Sequence, residues 1–245
     1  MVSPTPHGKY IPGMYPGRQR IPAETTGQYI RALEKIISKP STWAPLRTEL
    51  PPTICLARKI GVGALEIADI LAEKINYRVA DRLIIEEMAN NSAVTSNTVS
   101  FFDERYPGSL AELAAFLFGQ NSFTMSDYVR GLTSVVNALA FSEPTIFVGR
   151  GARFLLPRDR ILSVHVICSR PYRVKRIARM MDIGEEAADK KLEDLDKEQA
   201  DFNKKLSGKK KPEPGEFDLL INCDYISNPE WAADILATAF RSKFG

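Results

Sequence analysis

Short apolar runs recur along the chain: "TICLA" from residue 53, "TIFVG" from 145, "LSVHVICS" from 162 and "DLLINC" from 218. Each is rich in β-branched or aliphatic residues and bounded by turn-forming or charged ones. Continuous apolar character of this kind marks strands covered on both faces, as in a parallel sheet between helices. The gaps carry apolar residues at helical spacing: residues 64–75, "LIIEEMANN" after "YRVADR", "SLAELAAFLFGQ", "SDYVRGLTSVVNALAFS", "PYRVKRIARMM", "GEEAADKKLEDLDKEQADFNKKL" and "NPEWAADILATAF". Ser126 or a neighbour caps the helix from 127, and Asn228 with Pro229 suits the start of the last one. Residues 91–108 read as loop, and no internal repeat is present. Strands alternating with helices predict a doubly wound α/β domain, whose ligand crevice lies outside the carboxyl ends of its strands.

That domain begins at Thr53 and runs to the end of the chain, so residues 1–52 form an N-terminal extension. Residues 1–23 are proline- and glycine-rich with scattered basic residues and read as an extended arm. "TTGQYIRALEKIISK", residues 25–39, reads as an amphipathic helix that offers a docking element for a protein partner, followed by the linker "PSTWAPLRTELPP". The 245 residues, 44% of them hydrophobic, suffice for a sizeable core, and a formal charge of +3 is far below that of a dedicated nucleic-acid binder. The aromatic platforms of single-strand binders are also missing from the pattern. Cys55, Cys168 and Cys223 lie in apolar runs without a CxxC pair, so they read as buried thiols in a reduced, cytoplasmic protein with no disulfide framework or metal site. No apolar run reaches the length of a membrane span.

The loop "RKIGVG" between the first strand and its helix presents backbone N–H groups and the positive end of a helix dipole, which attract phosphate. Gly61 and Gly63 let the backbone come close. The common phosphate loop ends in a glycine, a lysine that neutralises terminal phosphates and a hydroxyl for magnesium. Here Gly63 is followed by Ala64, Leu65 and Glu66, which supply neither lysine nor hydroxyl.

The run "ARKIGVGALEIADILAEKINYRVADRLIIEEMA", together with "IFVGRGARFLL", "SRPYRVKRI", "DLDKEQADF" and "FDLLINCDYIS", resembles the cytidylate kinase-like family of P-loop nucleoside monophosphate kinases. The resemblance implies a P-loop NTPase-type three-layer α/β/α fold with a parallel sheet and a helical lid. It also implies ATP and Mg2+ as cofactors. In that family the loop is similar to S-R-x-x-G-S-G-G-R-x-I-A; Arg58, Gly61, Gly63, Glu66, Ile67 and Ala68 fit it, while Ala57, Val62, Ala64 and Leu65 depart from it by losing polar groups, backbone freedom and a charge. Arg58 and Lys59 are the cations that stand in. The nucleotide-binding loop is thus Arg58, Gly61, Val62, Gly63, Ala64, Leu65 and Glu66.

By the same resemblance Asp81 and Arg82 lie near the acceptor nucleotide, Arg150 contacts its phosphate at a strand end and Arg153 accompanies it. Each has a plainer reading, Asp81 above all, as a helix cap. Arg173, Arg176 and Arg179, spaced by three, form a basic stripe that lies under the lid over the donor phosphates, or else a solvated face. Gln199 stands where the family has a lid arginine. Lys204, Lys205, Lys209, Lys210 and Lys211 read as a solvated loop, His165 as a core histidine, and neither it nor His7 has partners for a metal or a triad. Phosphoryl transfer from ATP to a CMP-like monophosphate, made weak by the lost loop and lid charges, is one expectation, with Arg150, Arg173 and Arg176 as catalytic cations. A nucleotide-binding sensor or partner protein that has lost transfer is the other.

Overall fold

The computed structural model describes residues 15, 27, 28, 30, 31, 50–90, 127–209 and 211–245. The expected loop at 91–108, the helix at 109–120, the Ser126 cap and nearly all of the N-terminal extension lie outside these residues. Of the expected helix at 25–39, Gly27, Gln28, Ile30 and Arg31 are helical, and Ile30 packs on the domain core.

A five-stranded sheet has the order β2-β3-β1-β4-β5: β1 (Thr53–Arg58), β2 (Arg78–Asp81), β3 (Thr145–Val148), β4 (Ile161–Ile167) and β5 (Leu219–Asn222). Every pairing is parallel, so all carboxyl ends open on one side. β1 is central, between Ile146–Val148 of β3 and Ile161–Val166 of β4. β2 is the strand that the sequence reading passes over. It is an edge strand of four residues with a charge at each end, so only Val79 and Ala80 are left as an apolar run.

The helices are α1 (Ala64–Ile75), α2 (Arg82–Asn90), α3 (Asp127–Ser142), α4 (Arg170–Met181), α5 (Glu185–Ser207) and α6 (Pro229–Phe244). Ile54, Leu56, Val164 and Val166 point from the sheet into a core shared with α1 and α6. Cys55, Ala80 and Phe147 point the other way, onto α2 and α3. The result is the expected three-layer α/β/α arrangement with a parallel sheet. α3 is buried at every position from 131 to 140, and Asn137 satisfies its amide there by donating to the carbonyls of Thr133 and Leu155.

The chain ends of these elements are fixed locally. Ser169 caps α4 ahead of Pro171, and the Asn228 side chain accepts from the Glu230 N–H at 2.8 Å ahead of α6. At the amino ends of β4 and β5, Asp218 accepts from Arg158, from the Ser163 N–H and from Lys243. Burial works against its charge, but these donors hold its carboxyl at about 2. The helical lid is α5. Its buried Ala188, Leu192 and Leu195 close a small core with Ile60 and with Val174, Ile177 and Ala178 of α4. Among the described residues no helix is long and apolar enough to cross a membrane.

Candidate functional site

The carboxyl ends of β1 and β3 open into a cavity of about 450 Å3, roofed by the second half of α5. After β3 the backbone takes positive φ at Gly149, Arg150 and Gly151 in succession, 84°, 49° and 65°. A left-handed arginine is strained, and this run aims its side chain back into the crevice. Gly151 suits this left-handed turn, and a Cβ there would lie 2.0 Å from the Leu206 Cδ2 of α5, which would have to move aside. Arg150 pairs with Glu86 of α2, and its guanidinium lies 4.4 Å from the Phe202 ring centre. Arg82, at the start of α2, donates from Nε to the same Glu86 at 3.2 Å. Arg58, at the end of β1, lays its guanidinium against Gly149, with Nη2 3.6 Å from where a Cβ would be. Burial, then the charges of Arg82 and Arg58, pull Arg150 down to about 9 while Glu198 opposes the shift, so cations crowd this wall of the cavity. A dianionic phosphate is the kind of ligand that such a cluster stabilises.

Asp81 serves as the cap of α2: its Oδ1 accepts from the N–H groups of Leu83 and Ile84 at 2.9 and 3.1 Å. It is buried, and only its neighbour Arg82 reaches the cavity wall. Arg153 also lines the cavity, but its guanidinium is held by Glu216 at 2.5 Å and lies over the rings of Phe154 and Phe217. Lys209 completes that group by pairing with Glu213 and Glu216. His165, read from sequence as a core histidine, stacks on Phe217 at 4.6 Å and forms part of the cavity wall. Burial, helped by Arg153 and Lys59, lowers it to about 4, so it is neutral at pH 7. His165 and Phe202 face one cavity only because α5 folds back over the carboxyl ends of the strands, which no local pattern announces.

The glycine loop is different. The side chains of Val62, Ala64 and Leu65 are buried in the core between the sheet and α1, Leu65 with 4% exposure, so only their backbone faces outward. Gly61 lies under Ile177 and Arg173. Arg173 is itself buried, donating to Asp196 of α5 at 2.7 and 2.9 Å and to the Ile60 carbonyl at 3.4 Å. Arg176 crosses Gly63 and pairs with Glu66 at 2.8 Å, whereas Arg179 is exposed. The expected arginine stripe is therefore divided among different neighbours. Gln199 donates to the Arg58 carbonyl at 2.9 Å and pins the lid to the loop. What remains beside the loop is a dent of about 20 Å3, bounded by Arg58, Gly61, Gly63, Glu66, Arg176 and Tyr15. Arg58 is common to the walls of the dent and the cavity. Among the described residues no cluster of acidic, histidine or cysteine side chains could hold a metal ion. With no hydroxyl after Gly63 and Glu66 committed to Arg176, the loop does not fit the usual magnesium site.

Compared with known protein families, residues 53–225 match the cytidylate kinase-like family. The chain belongs to the cytidylate kinase-like family. As a member it is a nucleotide-binding, kinase-like protein of the P-loop fold. Among solved structures, an uncharacterized protein from Eubacterium ventriosum is similar over 79% of this chain and 99% of its own, with 18% identity and a TM-score of 0.58, which shows the shared fold. A shikimate kinase from Bacteroides thetaiotaomicron has 13% identity and a TM-score of 0.40, covering 78% of this chain and 96% of its own. A gluconokinase from Sinorhizobium meliloti has 13% identity and a TM-score of 0.42, covering 80% and 99%. At those scores neither informs the function of this family member. A search of curated proteins found no match.

Proposed function

We propose that this protein binds a nucleoside monophosphate of the CMP type in the crevice above β1 and β3, and that it transfers a phosphoryl group to it from ATP only slowly. The observation that carries this reading is the convergence of Arg58, Arg82 and Arg150 on one cavity large enough for a nucleotide. Arg150 and Arg82 would hold the acceptor phosphate, with Arg153 and the Asp81 cap keeping their supports in place. Arg58 stands between acceptor and donor sides, where charge develops on a transferring group. ATP supplies the phosphoryl group, and Mg2+ would arrive on its phosphates, as the described residues offer no site of their own. Residues 1–52 would be an extension to a kinase domain spanning 53–245, and the buried free thiols suit a reduced, cytoplasmic setting.

The dent of about 20 Å3 beside the glycine loop favours a second reading, a CMP-binding sensor or partner protein without transfer. Calorimetric titration with CMP and with MgATP, followed by an assay for ADP, separates the two. CMP binding with slow ADP formation that Arg58→Ala abolishes supports the kinase. CMP binding without ADP formation supports the sensor, and absence of CMP binding removes both.

A further inference from the structure

Arg176 lies directly across the start of α1. A Cβ on Gly63 would meet its Cζ at 3.1 Å and its Nη2 at 3.2 Å, and Gly63 itself is left-handed at φ 92°. A guanidinium on the positive end of a helix dipole is unfavourable by itself. Glu66, in the first turn of the same helix, compensates: its Oε2 accepts from Arg176 Nη2 at 2.8 Å. Tyr15 closes the remaining side, its hydroxyl donating to Asp69 Oδ2 of α1 at 2.9 Å while the residue borders the dent. What is left beside the loop holds about one water molecule, far from the room that a triphosphate chain requires.

We propose that Glu66 and Arg176, with Tyr15 over them, form a latch that shuts the donor side, and that the polyphosphate of a nucleoside triphosphate opens it. Arg176 would exchange one anionic partner, the Glu66 carboxylate, for another, the phosphate oxygens. The α1 N–H groups would then face the phosphate directly, and the displaced Glu66 would turn to solvent. The strength of the internal pair therefore sets donor affinity. This inference rests on the reading of the glycine loop as the donor side given above.

The test is MgATP titration of the wild-type chain, Glu66→Gln and the double variant Glu66→Gln with Arg176→Gln, each first shown to melt cooperatively. Glu66→Gln is expected to bind MgATP about tenfold more tightly, since it removes the competing charge from a partly buried pair. The double variant is expected to lose that gain, and Tyr15→Phe to tighten binding by about twofold. A Glu66→Gln protein that binds MgATP no more tightly than wild type overturns the latch. So does a double variant that keeps the gain, because Arg176 would then not be the group released. Should Glu66→Gln fail to fold, Glu66→Asp, which draws the carboxylate back by one methylene, takes its place with the same expected direction. Loss of CMP binding with the Glu66→Gln gain intact would remove the crevice reading and leave the latch standing.

Discussion

At the carboxyl end of β3 a left-handed run turns Arg150 into a cavity of about 450 Å3, where Arg82 and Arg58 add their charge. At the carboxyl end of β1, the adjacent strand, Arg173 and Arg176 are instead turned onto Asp196 and Glu66, leaving about 20 Å3. Both regions are built from arginines on the strand ends and on the helices beside them. The difference lies in where the matching carboxylates sit. In the crevice one carboxylate, Glu86, is shared between Arg82 and Arg150. At the loop each arginine has an acid of its own, and the charge is consumed within the fold.

The largest effect expected from breaking this contrast is on the loop side. Arg173→Ala removes a buried partner of Asp196 and of the Ile60 carbonyl, and should destabilise the chain by about 3 kcal/mol, lowering Tm by about 10 °C in scanning calorimetry. A change under about 1 kcal/mol would mean that α5 is not held through this pair. On the crevice side, Arg150→Met should weaken CMP binding about 30-fold by removing a charge-assisted phosphate contact. A dissociation constant near that of wild type would separate the cavity from phosphate recognition. Gly63→Ala must place a Cβ against Arg176 at positive φ, and should cost about 1 kcal/mol in denaturant unfolding. Wild-type stability there would show that Arg176 gives way freely.

The smallest effect concerns pH. His165 is lowered to about 4 in the folded chain, chiefly by burial, against about 6.5 when unfolded. Between those values the unfolded chain binds more protons, so stability falls as pH drops from about 6.5 to about 4 and levels off below. His165→Phe should flatten the dependence of Tm over that window. An unchanged slope would place the titration elsewhere.

The sheet was legible in the sequence wherever a strand is an unbroken apolar run. β1, β3, β4 and β5 read as apolar runs, and α1 to α6 as helical periodicity, because burial itself writes those patterns. β2 was not legible, since the charged Arg78 and Asp81 at its ends leave only Val79 and Ala80 as an apolar run. At the site, the left-handed glycines around Arg150 were visible as "GRG". The fate of Arg173, Arg176 and Arg179 was not. A step of three residues falls about 60° short of a helical turn, so over two steps the side chains fan through about 120° and meet different neighbours. Which of them finds a carboxylate depends on Glu66 and Asp196, which are distant in sequence and brought near only by the fold. His165 was placed in the core by its valine neighbours, yet α5 and the turn at Phe217 leave a cavity beside it.

The pins along α5 have a dynamic consequence. Asp196 ties the helix to Arg173, Gln199 to the Arg58 carbonyl, Phe202 lies against Arg150, and Leu206 fills the space that Gly151 leaves. They follow one another within about 15 Å of a stiff rod. Releasing any one of them alone gains no opening, because its neighbours keep the rod seated. The roof over the crevice should therefore lift cooperatively, and amide hydrogen exchange across residues 196–206 should proceed with one common opening free energy rather than as a gradient fraying from the Gly208 end.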